Sequence, residues 1–316
     1  KISYVQFGEN QAKIREWLHD LPPMDIVHYE WPRSLENYAT DFGKYQLFTY
    51  MEAVSLRLLM DMEQMKPLSK EWLDKFDQLA YALQLEFVKT SQLDARVAVS
   101  TKDAEFFRNI SPFQEYVVLN HGLSFEEFTL PEIVAEPNTL VFVGNYMHYP
   151  NAEAMELFFN EIWENIRKEI PDVRIYIVGT NPTENLLLRS DGKHIIVTDT
   201  VPDVRPYIQK ATVCIAPLIS GAGLRGKLIE YAALKRTFVA TSIAATDFDF
   251  KDGTDYFCAD TAREFSQKVI QLLKSPELVA QMAENAYITA SKNYDTHRLT
   301  GFLLSLYDYL GSFNED

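Results

Sequence analysis

The feature that most constrains the fold is a regular alternation of short apolar runs and helical stretches between residues 139 and 294. The runs are apolar throughout, as strands are when helices cover both faces of a parallel sheet. Six such strands are predicted, at residues 139–143, 173–178, 194–198, 212–218, 237–241 and 256–258. Because short connections and intervening helices favour parallel strands, we predict a doubly wound α/β domain here.

The front third is less regular. Strands are predicted at 2–7, 25–31, 45–50, 96–100 and 116–119, and helices at 10–21, 54–65 and 68–91. A chain of 316 residues exceeds one typical domain, and the polar stretch 132–137 with its two prolines is the best linker. We therefore predict an N-terminal domain over 1–134, a second domain over 135–295, and a C-terminal helix over 296–316 whose apolar side packs on a large surface.

Composition limits the partners and the compartment. The formal net charge of −15 argues against nucleic acid, because a phosphate backbone must be met by clustered Lys and Arg. A small phosphorylated ligand needs only one local basic pair. No apolar stretch approaches the roughly 20 residues of a transmembrane helix, and no signal pattern opens the chain, so a cytoplasmic location is expected. Cys214 and Cys258 lie in apolar runs and are predicted to be buried thiols in a reducing compartment.

The segment 216–230, APLISGAGLRGKLIE, carries the clearest chemical signal. A strand ends there, a glycine-containing loop follows, and a helix begins near Leu224. Free N–H groups and the dipole at a helix start favour an anion, whereas Arg225 and Lys227 in the first turn oppose the dipole unless an anion lies in front of them. The simpler interpretations stay open: a tight connection, a solvated basic face, and an ordinary helix pair between Lys227 and Glu230.

Ordered segments of the back half closely resemble the C-terminal domain of retaining glycosyltransferase family four. They are FVGNYMHYPN (142–151), IYIVGTNP (175–182), VTDTVPDVRPYIQKATVCIAPL (197–218), SGAGLRGKLIEYAALKRTFVATSIAA (220–245) and NYDTHRLTGFLLSLYDYL (293–310). The front resembles the family more loosely, in DIVHYEW (25–31), VAVSTKDAEFF (97–107) and VVLNHGLSFEEF (117–128). The resemblance implies an α/β fold of GT-B type, with two Rossmann-like doubly wound domains facing a cleft. The N-terminal domain would be abbreviated, and the last helix would cross back to it.

The resemblance also implies roles for particular residues. Arg225 and Lys227 would act catalytically by holding the donor diphosphate, and Glu230 would bind the ribose. The other implied donor-binding residues are Gly144, Asn145, Thr200, Val201, Ser220, Gly221, Gly223 and Leu224. Acceptor-side candidates in the front domain are His28, Glu30, Asn120 and His121, although a purely structural role is the simpler interpretation of both histidines.

The implied reaction is transfer of a sugar, with retention and without a metal, from a nucleoside diphosphate donor to a glycan or lipid-linked glycan acceptor. A UDP- or GDP-linked donor and a role in polysaccharide biosynthesis are expected, with no cofactor beyond the donor. Neither the one Asp-X-Asp run, at 247–249, nor any group of histidines has convincing metal-ligand spacing. The sequence departs from the family at several positions. Ala222 stands where many members have a glutamate, Asp199 and Lys235–Arg236 each replace a glycine, and a basic pair common after the first strand is missing from 145–151.

Two other functions are considered. A non-catalytic or degenerate nucleotide-sugar-binding protein is the main alternative, favoured by Ala222 and the short front domain. A nicotinamide-dependent oxidoreductase would share the fold class, but its phosphate loop is Gly-X-Gly-X-X-Gly directly after the first strand. The segment 144–151 lacks this motif, so the oxidoreductase is the weaker alternative.

Overall fold

A computed structural model describes residues 22, 24–30, 34, 43–131, 133–221 and 226–312. The strand predicted at 2–7 and the helix predicted at 10–21 lie outside these residues. The chain divides into two units. Unit 1 consists of the chain up to Asn120 together with the segment from Leu299, and unit 2 runs from His121 to Arg298.

The division falls at Asn120, ahead of the predicted linker at 132–137. The N–H of Leu123 donates to the carbonyl oxygen of Tyr294 at 2.8 Å, and the N–H of Thr296 donates to the carbonyl oxygen of Leu123 at 3.0 Å. These two bonds tie the segment after His121 to the end of a long helix of unit 2. The segment therefore groups with unit 2, although it precedes the proline-containing stretch.

Unit 1 contains a parallel four-stranded sheet in the order β1-β2-β3-β4. Its strands are β1 (Met24–Glu30), β2 (Gly43–Tyr50), β3 (Ala95–Ala98) and β4 (Val117–Val118). Its helices are α1 (Val54–Glu63), α2 (Lys70–Leu83) and α3 (Thr101–Ile110). The strands predicted at 25–31, 45–50, 96–100 and 116–119 are confirmed with small shifts at their ends. The helix predicted at 68–91 is α2 followed by the π-helical turn Gln84–Val88 and the 3-10 turn Lys89–Gln92.

The sheet of unit 1 is covered on both faces. Leu47 and Val97 pack against Leu310 of the last helix, Thr296–Ser312. An aromatic cluster fills the other side, with ring centroids of Tyr50 and Phe107 4.3 Å apart. Burial of both faces explains why neighbouring residues such as Leu47 and Phe48, which point to opposite faces, are both apolar and fully buried.

A buried carboxylate caps the start of α1. Glu86 is 1% exposed, and it accepts hydrogen bonds from the N–H of Val54 at 2.7 Å, the N–H of Ser55 at 3.2 Å and the hydroxyl of Ser55. These N–H groups belong to the first turn of a helix, where no intrahelical partner exists. Burial nevertheless raises the pKa of the Glu86 carboxyl to about 7, because desolvation outweighs these donors.

We expect Glu86→Gln to remove a pH dependence from the stability of unit 1. The folded-state pKa of about 7 lies above the ordinary value of 4.5, so the folded state retains the proton between these values. Stability therefore falls as pH rises through this window, by on the order of 2 kcal/mol from this group. Urea unfolding of wild type and variant at pH 5 and pH 8 measures the difference. An equal change with pH in both proteins would contradict the assignment.

Unit 2 contains a parallel six-stranded sheet in the order β10-β9-β8-β5-β6-β7. Its strands are β5 (Thr139–Val143), β6 (Arg174–Val178), β7 (Ile195–Val197), β8 (Val213–Ala216), β9 (Phe238–Ala240) and β10 (Phe257–Cys258). All six predicted strands are confirmed. Every residue of β5, β8 and β9 is buried, which accounts for their continuous apolar character.

Helices follow each strand of this sheet. They are α5 (Tyr149–Leu157), α6 (Trp163–Glu169), α7 (Glu184–Arg189), α8 (Arg205–Lys210), α9 (Gly226–Ala233), α10 (Ser242–Ala245), α11 (Ala262–Leu273) and α12 (Pro276–Tyr294), with α13 (Thr296–Ser312) last. The short helix α4 (Phe125–Phe128) precedes the first strand, β5. The helix predicted at 152–169 consists of α5 and α6 joined by a π-helical turn, Phe158–Ile162.

The structure shows what Lys235 and Arg236 do at the position where the family has a glycine. Lys235 has a φ of 52°, in the left-handed region that favours glycine after a helix. Its ammonium pairs with Glu284 at 2.8 Å and lies 4.6 Å from the ring centroid of Tyr287. The guanidinium of Arg236 donates to the carbonyl oxygens of Gln209 and Ile133. These contacts offset the conformational cost that a glycine would avoid.

Two sequence-based expectations concern the cysteines and the membrane. Cys214 is fully buried, as predicted, whereas Cys258 was predicted to be buried and is only half-buried; neither forms a disulfide. Within the ranges that the structure describes, no helix combines the length and apolar character that crossing a bilayer requires.

Candidate functional site

The loops that follow the strands of unit 2 share one edge of the sheet, because all of its strands are parallel. β5 has β6 on one side and β8 on the other, so the strand order reverses between β5 and β8. In doubly wound sheets, ligands bind beyond the carboxyl ends of the strands at such a reversal. The loop after β5 and the loop between β8 and α9 therefore form the candidate site.

Two glycines let the loops after β5 and β6 approach closely. The N–H of Gly144 donates to the carbonyl oxygen of Val178 at 2.9 Å. Gly179 has a φ of 139°, and a Cβ there would overlap the carbonyl oxygen of Gly144. A Cβ on Gly144 would lie 2.9 Å from Cγ of Asn151. The two loops can pack this closely only because Gly144 and Gly179 have no side chains. This packing positions Gly144 and Asn145, both predicted to bind the donor, at the candidate site.

Lys227 is held across the site by the first turn of α5. Its Nζ donates to Oδ1 of Asn151 at 2.7 Å and lies 4.0 Å from the ring centroid of Phe142. Nδ2 of Asn151 donates to the carbonyl oxygen of Asn145 at 2.9 Å. Lys227 and Asn145 were both predicted to bind the donor, Lys227 at the start of α9 and Asn145 in the loop after β5. These contacts bring the two residues together. An ammonium group is therefore fixed where the two loops meet.

Helix α9 is anchored to both strands at the reversal. The hydroxyl of Tyr231 accepts from the N–H of Val143 at 3.2 Å and donates to the carbonyl oxygen of Ile215 at 3.4 Å. Glu230, the preceding residue, is half-buried. Burial raises the pKa of its carboxyl, and the charge of Lys227 opposes that rise. The site therefore presents one cation and one nearby carboxyl group on consecutive turns of a rigidly held helix.

Helix α5 contributes a second carboxylate, Glu153, which the loop after β8 contacts through Ser220. The hydroxyl of Ser220 donates to Oε2 of Glu153 at 2.5 Å, and the hydroxyl of Tyr149 donates to Oε1 of Glu153 at 3.0 Å. Gly221 has a φ of 100°, which glycine adopts without strain. Gly223, Leu224 and Arg225 lie outside the described residues, as does Ala222, and their predicted roles stay predictions.

Thr200 and Val201 lie in the loop after β7, the edge strand of the sheet. The N–H of Thr200 donates to Oδ1 of Asp199 at 2.6 Å, and its side chain is exposed. Val201 packs partly against the core of unit 2. The structure thus places both at the same edge as β5 but two strands away from it, and their contact with a base stays a prediction.

The acceptor-side candidates are divided between the units. His28 of β1 is hydrogen-bonded through Nδ1 to the hydroxyl of Tyr307 and through Nε2 to the hydroxyl of Thr49, both at 2.7 Å. Burial lowers the pKa of His28. Glu30 is exposed at the end of β1, Asn120 is half-buried and His121 is exposed. His28 thus ties β1 to the last helix, and an acceptor role for any of the four stays a prediction.

Sequence reasoning missed two polar residues of the site, Asn151 and Glu153. Both belong to the first turns of the helix after β5, which begin at the same sheet edge as the loops. Their type alone is common at a helix start. The usable signal is their position, directly after a strand and a loop at the predicted ligand edge.

The middle of the chain matches a known protein-family model. Residues 137–275, less than half of the chain, match the family model described as glycosyl transferases group 1. A curated relative from Klebsiella pneumoniae, an uncharacterized 44.6 kDa protein in the cps region, is 21% identical over 192 residues. That match covers 58% of this chain and 48% of the relative, so the chain spans about half the relative's length.

Solved structures extend the likeness to nearly the whole chain. Sucrose-phosphate synthase from Thermosynechococcus elongatus has a TM-score of 0.72 at 13% identity, covering 99% of this chain and 82% of that one. HepE from Anabaena, in complex with UDP and glucose, has a TM-score of 0.71 at 12% identity, with coverages of 96% and 84%. TarM has a TM-score of 0.72 at 12% identity, with coverages of 95% and 59%. At such identities these likenesses establish the fold, which is of GT-B type.

Proposed function

Residues 137–275 carry the glycosyl transferases group 1 pattern on a GT-B fold, and from this premise we propose that the chain is a glycosyltransferase. Its donor would be a nucleoside diphosphate sugar bound at the candidate site of unit 2, with UDP or GDP as the nucleotide. HepE and TarM have been solved in complex with UDP, which supports this class of donor. The acceptor would be a glycan or a lipid-linked glycan.

The observation that carries the proposal is the position of Lys227. Its ammonium is held by Asn151 at the strand-order reversal, in the first turn of α9. A cation at a helix start opposes the helix dipole, and the nearby carboxyl of Glu230 offsets part of that cost. A diphosphate in front of the helix would offset it further, because its charge would meet Lys227 and the N–H groups of the helix start together.

The same arrangement supports a reaction without a metal and with retention. Charge that develops on the departing diphosphate would be stabilised by Lys227 and Arg225, which supply the positive charge that a divalent cation supplies elsewhere. The departing phosphate would take the proton of the acceptor hydroxyl on the same face of the sugar. Acceptor contacts by His28, Glu30, Asn120 or His121 belong to the proposal, and the cytoplasmic location stays a prediction.

The test begins with calorimetric titration of UDP, GDP and ADP into the chain. We expect one nucleoside diphosphate to bind in the micromolar range with or without EDTA. Incubation with the corresponding sugar nucleotide, followed by NMR of the released sugar, should then show slow hydrolysis with an unchanged anomeric configuration. Binding without hydrolysis would support the non-catalytic alternative, and no binding of any nucleotide at millimolar concentration would refute the proposal.

Glu230→Gln is expected to weaken the nucleoside and the nucleoside diphosphate by the same factor. Glu230 would accept a hydrogen bond from a ribose hydroxyl, a group that both ligands contain. Loss of one hydrogen bond to a charged group corresponds to about tenfold in Kd. Titration with uridine and UDP, or with the matching pair for another base, measures both. The matched control is Glu277→Gln, which changes an exposed carboxylate on α12. If Glu230→Gln weakened only the nucleoside diphosphate and not the nucleoside, Glu230 would not contact the ribose.

A further inference from the structure

Glu153 has a setting that diphosphate binding does not explain. Its two carboxylate oxygens each accept a hydrogen bond from a hydroxyl, one from Ser220 at 2.5 Å and one from Tyr149 at 3.0 Å. The side chain of Glu153 is half-buried, whereas Tyr149 is 68% exposed. Two hydroxyls thus orient a carboxylate at the edge of the candidate site, with part of it open to a ligand.

Hydrogen-bond polarity decides which part of a ligand can meet this group. An ionised carboxylate only accepts, and each oxygen has more than one lone-pair site. Phosphate oxygens also accept and carry negative charge, so a diphosphate would be repelled by Glu153. A sugar hydroxyl can donate to it, as the hydroxyls of Ser220 and Tyr149 do. The chemistry therefore selects a polyhydroxyl group over a phosphate.

The position of Glu153 relates it to Lys227. Asn151, which holds the ammonium of Lys227, and Glu153 are two residues apart in the first turns of α5. Residues two apart on a helix point to different sides of it, so the hydrogen bond from Ser220 is what locates the carboxylate. Ser220, which holds the carboxylate, belongs to the loop that leads into α9. The carboxylate is therefore held at the loop after β8, at the same edge of the sheet as Lys227, where a sugar attached to the second phosphate could reach it.

We infer that Glu153 is a specificity-determining residue that accepts hydrogen bonds from hydroxyl groups of the donor sugar. Ser220 and Tyr149 hold its carboxylate in the required orientation. The inference rests on the proposed function, since it requires a nucleoside diphosphate sugar in unit 2. Free nucleoside diphosphate, which lacks the sugar, should not depend on Glu153.

The experiment compares a nucleotide with its sugar conjugates. UDP, UDP-glucose, UDP-galactose, UDP-GlcNAc, GDP and GDP-mannose are titrated into wild type, Glu153→Gln and Tyr149→Phe. For the sugar nucleotide that wild type binds most tightly, Glu153→Gln should raise Kd by about tenfold. Its affinity for the free nucleotide should change less than twofold. Tyr149→Phe removes only an orienting hydroxyl and should raise the same Kd by a smaller factor.

Controls separate the possible failures. Glu156→Gln changes an exposed carboxylate on the same helix and should leave both affinities unchanged. Thermal unfolding identifies any variant that fails to fold. If Glu153→Gln fails, the affinities for nucleotide and sugar nucleotide are compared in Tyr149→Phe, which loses only an exposed hydroxyl. Equal Kd changes for nucleotide and sugar nucleotide, or no change in either, would overturn the inference while leaving the proposed function intact. Absence of nucleotide binding to wild type would instead overturn the proposed function, and the inference with it.

Discussion

Lys227→Ala is expected to weaken nucleoside diphosphate binding by about ten- to a hundredfold, the loss of one hydrogen bond to a charged group. The rate of sugar transfer should fall further, by about 10²–10³ in kcat. The reason is that charge on the diphosphate grows as the glycosidic bond breaks, so a fixed ammonium stabilises the transition state more than the ground state. Calorimetry with UDP or GDP and a donor-hydrolysis assay measure the two effects separately.

A charge control tests whether position or net charge is responsible. Lys274→Ala removes an exposed lysine that pairs with Glu169 at 2.9 Å, at the end of α11. It lowers the net charge equally and should leave binding unchanged. Nucleoside binding should also be unaffected by Lys227→Ala, because a nucleoside has no phosphate. Equal losses in the two lysine variants, or an unaffected Lys227→Ala, would move the phosphate site away from the start of α9.

Gly179→Ala is expected to destabilise unit 2 by more than about 4 kcal/mol, a magnitude that point mutations reach only by severe disruption. A Cβ at this position would overlap the carbonyl oxygen of Gly144 and lie 2.8 Å from its carbonyl carbon. The clash is with backbone, so no rotamer change relieves it. The loop after β5 would have to shift, and Asn145 would shift with it. Urea unfolding and nucleotide binding are the two measurements.

Gly192→Ala provides the matched comparison. Gly192 also has a positive φ, 69°, but a Cβ there meets nothing within 4 Å. Its substitution adds only the cost of the left-handed conformation, roughly 1–2 kcal/mol, and should leave nucleotide binding intact. A similar loss of stability in both variants would show that backbone conformation, and not the contact between the two loops, makes Gly179 necessary.

The strands of unit 2 could be predicted because their apolar runs are long enough to be recognised without tertiary information. Thr139–Val143, for example, is buried at every position, so no polar residue interrupts the pattern. The ends of the helices were predicted less accurately. The π-helical turn Phe158–Ile162 interrupts the long helix after β5, and it contains no proline or glycine from which the interruption could be predicted.

The candidate site could be predicted in part. The glycine-containing loop pointed to Lys227 and Glu230, because cations in a first turn are unusual enough to be noticed. Asn151 and Glu153 were missed, since an asparagine or glutamate near a helix start is ordinary. His28 was proposed because acceptor residues were expected in the front domain, and its two hydrogen bonds to Thr49 and Tyr307 became known only from the structure.

By itself, the sequence determined the fold class, the parallel sheet of the back half and the loop before α9 as its chemically unusual segment. These are local properties, set by hydrophobic periodicity, glycine positions and charge within about fifteen residues. Only the tertiary structure decided that Lys227 meets Asn151 and that Ser220 meets Glu153, residues separated by 76 and 67 positions. The physical reason is that strand order, which no local pattern encodes, brings the loops after β5 and β8 to one point of the sheet.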